Sequence, residues 1–263
     1  MSVIFLDDKI VHYEVLGRGR PVLFLHGWVG SWRYWIPAMQ EASKSFRAYA
    51  LDLWGFGNTA RDPDQYDLGM QVSLLDRFLM AMGIARIALI GHGLGAVISL
   101  LFSRRFPGLV DRIMAVDCPL HRQAIHNRLV ETPLFELAEW LSGKNSYSEP
   151  VRTDASRTDP HAITRSLENW QVFGYEPSIL DEMRTPCLLV HGENDPLVKL
   201  PGDEFVSSLP VNIHCIILEQ SGHFPMLDGL QKFNNLLVDF LALESGSTPR
   251  ELQLKEEWRR RMR

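Results

Sequence analysis

Four short stretches of the chain carry residues that could do chemistry, and each follows an apolar run of strand length: LFLHGWVGSWRYW (Leu23–Trp35), GHGLG (Gly91–Gly95), LLVHGENDPLV (Leu188–Val198) and LEQSGHFPMLD (Leu218–Asp228). A His-Gly pair opening a loop leaves a backbone N–H free to face a developing oxyanion, and Trp28 is the residue that would present it. GHGLG reads as a sharp strand-to-helix turn. Gly91 and Gly95 remove side chains where backbones must pass closely, and the central residue takes positive φ, which lifts its side chain above the sheet. Leu94 would supply a second N–H at a helix N-terminus, where the dipole favours negative charge. Asp195 can orient an imidazole and stabilise its cation, or it can be a turn residue before Pro196; Glu193 is a second candidate for the same role. His223 lies in a Ser-Gly-His-Phe-Pro loop where neither helix nor strand needs a histidine, and it is the candidate base.

Acid, base and two amide donors are the parts of an acyl-transfer site, but the attacking atom is missing. Position 93 is glycine, and covalent catalysis needs an atom that attacks and then leaves. Ser99 and Ser103 lie further along the following helix, out of reach of the turn. Cys118, at another strand end, is the remaining substitute nucleophile, and its apolar setting reads as burial. A rival reading takes Gly91, Gly93 and Ala96 as a G-x-G-x-x-A dinucleotide turn, with Asp117 about twenty residues further on. That reading leaves the loops at His26 and His223 unexplained. No P-loop Lys-Ser/Thr is present.

These loops need a frame. PVLFLHG, FRAYALD, RIALIGH, RIMAVDC, PCLLVHG and NIHCIILE are short apolar strands, preceded by SVIFLDD and KIVHYEVLG as an antiparallel pair. Helical segments alternate with them; in YDLGMQVSLLDRFLMAMG, Leu68, Val72, Leu75, Phe78, Leu79 and Met82 recur at helical spacing. The pattern predicts an α/β fold, a doubly wound, mostly parallel eight-stranded sheet covered on both faces. Sites in such sheets gather beyond the carboxyl ends of the strands. The stretch between Cys118 and Pro186 is too long for an ordinary loop and reads as an inserted helical cap. The expected division is therefore a core of residues 1–118 and 186–244, a cap of 119–185, and a tail of 245–263. In the tail, ESGSTPR is a linker, and a charged helix starts with Thr248 as N-cap and Pro249 at its first position.

Taken together, HGWVGS, ALDLWGFGNTARDP, GHGLGA, FPGLVDRIMAVD, HGENDPLV and SGHFPMLD resemble the α/β-hydrolase superfamily in its capped, esterase- and haloperoxidase-like branch, over Val3 to Leu243. The resemblance implies Asp195 as acid, His223 as base, Trp28 and Leu94 as oxyanion donors, and Asp52 as a structural residue. It implies a carboxylic ester hydrolase type acting on a small or medium apolar ester or related carbonyl compound. Trp32, Phe135, Trp140, Trp170 and Phe173 are the expected pocket residues. Gly93 is where the chain departs from the pattern, which holds serine there, or sometimes aspartate or cysteine. Three outcomes are open: a serine hydrolase whose nucleophile was replaced, a binding protein that kept the pocket, or an Asp-His dyad that still works as a base, as in lyases and cofactor-free oxygenases.

Composition narrows the partners. The chain has 263 residues, 46% of them hydrophobic, with a net charge of −5, which argues against a general nucleic-acid binder. No apolar run reaches the roughly 18 residues of a membrane span, and Met1–Leu6 lacks the start of an export signal. Cys118, Cys187 and Cys215 read as buried, reduced thiols of a cytoplasmic protein and match no zinc spacing. No cofactor and no metal are implied, and the expected partner is a small molecule.

Overall fold

A computed structural model describes residues 2–143, 148–168, 170–171 and 175–252. Phe173 and most of the expected charged C-terminal helix lie outside the described residues. Eight strands form one sheet: β1 (Ser2–Leu6), β2 (Lys9–Gly17), β3 (Arg20–Leu25), β4 (Phe46–Leu51), β5 (Ile87–His92), β6 (Val110–Val116), β7 (Cys187–Gly192) and β8 (Ile213–Leu218). Their spatial order is β1-β2-β4-β3-β5-β6-β7-β8. β1 and β2 are antiparallel to each other and β2 to β4, whereas β4, β3, β5, β6, β7 and β8 run parallel. Every residue of β5 and β7 is buried, as a parallel strand covered on both faces requires, and this is why these strands read as unbroken apolar runs rather than alternating ones.

Helices α1 (Ile36–Ala42), α2 (Leu68–Ala81) and α3 (Leu94–Arg105) follow β3, β4 and β5. In α2 the side chain of Asp67 accepts the Met70 N–H as an N-cap, and Leu68, Val72, Leu75, Phe78 and Leu79 form the buried face that their spacing predicts. From Leu94 to Ser103, α3 is buried on all sides, because it runs beneath the sheet's centre and also carries other helices.

Between β6 and β7 lie α4 (Arg128–Glu131), α5 (Leu134–Ser142), α6 (Glu149–Ala155), α7 (Pro160–Ser166) and α8 (Ile179–Glu182). Long-range polar contacts pin this insert to the core. Asp154 is fully buried and accepts hydrogen bonds from the Ser31 hydroxyl and, at 2.7 Å, from Arg33 Nη1. The Tyr66 hydroxyl donates to Asp159 at 2.8 Å.

The chain ends with α9 (Asp203–Ser208), α10 (Pro225–Asp228), α11 (Leu230–Ala242) and a single 3-10 turn at Pro249–Glu251. Thr248 caps that turn by accepting the Arg250 N–H. The stretch expected to be a linker is docked: Arg112 donates to the carbonyls of Phe240 and Glu244, and Arg250 donates to those of Leu209 and Ile213. Arginine forks satisfying loose carbonyls hold it in place, a long-range pairing that local composition cannot show. No helix among the described residues is long and apolar enough to cross a membrane.

Candidate active site

The GHGLG turn joins β5 to α3 with Gly93 at φ +49°, ψ −109°. An L-residue is strained there, and glycine is not. The Gly93 N–H bonds the Val116 carbonyl at 2.9 Å and the Gly95 N–H the His26 carbonyl at 3.1 Å, so the turn is stitched to both flanking strand ends. A Cβ on Gly95 would come within 2.4 Å of the Leu25 carbonyl oxygen, so the helix can start this close to β3 only without a side chain. The Trp28 and Leu94 N–H groups find no acceptor among the described residues, as expected for a loop amide and for the first residue of a helix.

The indole of Trp28 roofs the turn. A Cβ placed on Gly93 would lie 3.3 Å from both Cε3 and Cζ3 of that ring. The ring is fully buried, and its Nε1 donates to the Ser166 hydroxyl of α7 at 3.0 Å. The side chain above position 93 therefore belongs to the His-Gly loop and is fastened from the insert.

His223 and Asp195 meet. His223 Nδ1 lies 2.9 Å from Asp195 Oδ2, and both side chains are about 1% exposed. Asp195 Oδ1 accepts the N–H groups of Leu197 at 2.7 Å and Val198 at 3.2 Å. Burial pushes this carboxyl up, but the His223 imidazole and the two amides outweigh it and hold Asp195 below the ordinary carboxylate range. The His223 ring packs against that of His92, the residue before Gly93, with centroids 4.6 Å apart, which brings it to the elbow.

Beneath this pair sits a polar layer that the sequence pattern does not single out. Asp117, at φ +43°, follows β6, and its Oδ1 accepts the Gly192 N–H at 2.8 Å. Burial, reinforced by the neighbouring Asp195 charge, pushes its carboxyl well up. His92 Nδ1 bonds the Tyr34 hydroxyl at 2.9 Å, and burial, helped by the His223 imidazole, holds His92 well below its usual value. His191 is buried, and neither ring nitrogen has a hydrogen-bond partner among the described residues. Asp117 carries one sequence signal, an aspartate directly after an apolar strand; only the dinucleotide reading uses it.

The other candidates separate cleanly. Glu193 accepts the Gln220 N–H at 3.0 Å and is exposed, away from His223. Ser99 donates to the Gly95 carbonyl and Ser103 pairs with Thr185, so neither reaches the turn. Burial pushes the Cys118 thiol up to about 12, despite the Tyr175 hydroxyl 3.2 Å away; it is a neutral, packed thiol, not a nucleophile. His26 is locked by the Leu53 N–H on Nε2 and the Gly27 carbonyl on Nδ1, and burial lowers it. Asp52 accepts from the backbone of Trp32 and Asn58 and pairs with His12 at 2.9 Å, which ties the loops after β3 and β4 together.

The expected pocket residues fall in different surroundings. Phe135 is 61% exposed, because α5 buries Leu137, Ala138 and Leu141 and turns position 135 the other way. Trp140 is half-buried, packed against the core and in contact with Arg128 and His126. Trp32 stacks between His12 and Arg33, on the Asp52 side of its loop. Trp170 is buried against Tyr175 and lines a groove of about 460 Å³ with His121, Arg122 and Leu167.

Comparison with known proteins agrees with this architecture. The sequence model of the alpha/beta hydrolase family matches residues 22–236. A putative carbamate hydrolase RutD of Yersinia enterocolitica is 26% identical, over 94% of this chain and 97% of that protein. The 2-hydroxy-6-oxo-6-(2'-aminophenyl)hexa-2,4-dienoic acid hydrolase of Metapseudomonas resinovorans is 23% identical, over 90% of this chain and 89% of that protein. Among solved structures, a serine-to-glycine mutant of the N-acyl homoserine lactonase AidH, complexed with N-hexanoyl homoserine lactone, superposes with a TM-score of 0.81 at 22% identity, covering 91% of this chain and 96% of that one.

Proposed function

The chain belongs to the alpha/beta hydrolase family, and from that premise we propose that it is a carboxylic-ester-hydrolase-type protein for a small or medium apolar ester or related carbonyl compound, with Gly93 standing where the nucleophile would be. The observation that carries this reading is the elbow itself. A positive-φ residue lies next to two uncommitted amide N–H groups, and the His223–Asp195 pair packs against its neighbour. In this reading His223 is the base, Asp195 orients it and stabilises its cation, and the N–H groups of Trp28 and Leu94 receive the oxyanion. In this reading the insert of residues 119–185 is the cap over the site, fastened to it through the Ser166 hydroxyl that accepts the Trp28 Nε1–H. Three free thiols fit a reducing, cytoplasmic setting. Without an attacking side chain, turnover rests on base and oxyanion donors alone, about 10³–10⁴ over water on the scale of serine proteases that have lost a triad member.

Gly93→Ser tests it. A serine Cβ needs the Trp28 ring to give by only a few tenths of an ångström. The expected result is gain of short-chain p-nitrophenyl ester hydrolysis and of covalent labelling by a serine-reactive phosphonate. Gly93→Ser and Gly93→Ser with Ser166→Ala, the latter freeing the indole, are assayed side by side. If both fold and both stay inert to ester and phosphonate, the reading is wrong.

A further inference from the structure

We propose that the amino end of the sheet holds a second small-molecule site, separate from the elbow, for a small carboxylic acid with an apolar tail. A cavity of about 260 Å³ opens where β3, β4, β5 and β6 begin. Its walls are apolar: Pro21, Phe46, Ile87, Ala88 and, from the end of α11, Leu241. Its charged residues are Arg20, Arg86, Arg112 and Asp111, three cations against one anion. The elbow stands at the carboxyl end of β5 and this cavity at its amino end, about 20 Å away along a six-residue strand.

Sheet register brings the cations together. Val22 pairs with Ala88 in the parallel β3–β5 ladder. The same register carried two residues back sets Arg20 beside Arg86 on one face, with backbones about 4.8 Å apart. Like charges on neighbouring strands repel, and Asp111 is the one carboxylate in the lining to offset them. It is already taken. Arg112 Nε donates to its Oδ2 at 2.7 Å, the Ser245 hydroxyl donates to its Oδ1, and Arg86 Nη2 lies 3.0 Å from that same oxygen. Burial pushes the Asp111 carboxyl up, but these partners outweigh it and keep it ionised. The rest of the Arg112 fork is spent on the carbonyls of Phe240 and Glu244. Arg20 makes no hydrogen bond or ion pair among the described residues, and its guanidinium carbon lies 5.3 Å from the centroid of the Phe46 ring, a wall of the cavity. An unmet guanidinium fork beside apolar walls matches a planar, singly charged carboxylate, which it can hold bidentately, on a hydrocarbon tail. A phosphate ester would bring up to two charges to one uncommitted guanidinium, and a neutral ligand would leave that guanidinium unmet.

The test uses the full chain with sodium octanoate as the probe, read by melting temperature and by hydrogen–deuterium exchange. The expected result is a saturable rise in melting temperature, with slowed exchange in the peptides that contain Arg20 and Arg86. Octanamide, the neutral isostere, and inorganic phosphate should each bind about 10-fold or more weakly, since each lacks one half of the match. Arg20→Gln removes the uncommitted charge and should weaken octanoate by about 10–100-fold, the worth of hydrogen bonds to a charged group. Arg86→Gln is the second variant should Arg20→Gln misfold, with circular dichroism as the folding check. Equal octanoate shifts in wild type and in a folded variant overturn the proposal, because the acid then sits elsewhere, such as under the insert. So does a shift as large with octanamide, which marks a plain apolar groove, or as large with phosphate, which marks a general anion patch. The absence of any octanoate shift overturns it as well. Binding at this end of the sheet asks nothing of the elbow, so phosphonate labelling of Gly93→Ser reads the hydrolase proposal separately, and either can fail alone.

Discussion

Acid should unfold this protein through a histidine that has no function in the proposed chemistry. His191 ends β7, is 1% exposed, and neither ring nitrogen has a partner among the described residues. Burial lowers it from 6.5 to about 4, partly opposed by the Asp195 charge. The unfolded chain therefore takes the proton first. The contribution of His191 to stability is whole above about pH 6.5 and is lost as the pH falls from there through 4. The difference of about 2.5 pK units corresponds to roughly 3 kcal/mol, at about 1.4 kcal/mol per pH unit. That is a large share of a typical 5–15 kcal/mol. His26 and His92, also lowered by burial, act in the same direction, while Asp117, raised by burial, acts in the opposite one. The comparison must therefore be between wild type and His191→Leu, not between pH values alone. Urea unfolding of both across pH 7.5 to 4.5 isolates the contribution. The variant should be neutral or up to about 1 kcal/mol more stable at pH 7.5, because two unpaired polar atoms disappear. Below pH 6.5 it should gain on wild type by about 1.4 kcal/mol per unit. A difference that stays flat across this range would refute the reasoning.

In the Gly93→Ser background, Asp195→Asn should cut ester turnover by about 10⁴, the loss that a wrongly oriented imidazole causes in a serine protease, with little change in KM; steady-state kinetics decide it. Ser166→Ala removes the acceptor that fastens Trp28, and should speed phosphonate labelling of the same variant while costing about 1 kcal/mol in a thermal melt. Cys118 should resist iodoacetamide in the native state at pH 8 and react only on unfolding, since its thiol is pushed up to about 12; mass spectrometry of the alkylated peptide reads this directly.

The strands are legible in the sequence because burial on both faces leaves each one an apolar run closed by glycine or aspartate, as in Ile87–His92 and Cys187–Gly192. The meeting of His223 with Asp195 is legible because both follow parallel strands at the same edge of the sheet. Side-chain direction is not. The sequence singles out Trp28 for its backbone N–H, yet its ring lies over Gly93 because Ser166, 138 positions away, holds Nε1. Phe135 and Trp140 read as pocket aromatics, but the phase of α5 turns Phe135 outward and leaves Trp140 half-buried against the core, between Arg128 and His126. The closeness of Asp117 and His92 is invisible because adjacency of strand ends is a property of sheet order, and β5 beside β6 beside β7 cannot be read from spacing.

Gly93 and Trp28 are one feature. A side chain at φ +49° costs about 1–3 kcal/mol, which a serine at this position would have to recover elsewhere. Glycine removes that strain, and the indole lies 3.3 Å from where a Cβ on this residue would stand, with Ser166 fixing it there. The two effects have the same sign: the elbow is more stable, and more closed, without its nucleophile. Restoring serine therefore asks for two separable things, strain at position 93 and a small lift of the indole. Gly93→Ala carries the strain and the Cβ contact but no hydroxyl. If the melting-temperature loss of Gly93→Ser equals that of Gly93→Ala, the cost is backbone and roof alone. A markedly smaller loss for serine means that its hydroxyl finds a partner at the elbow, and His223 is the group placed to be that partner.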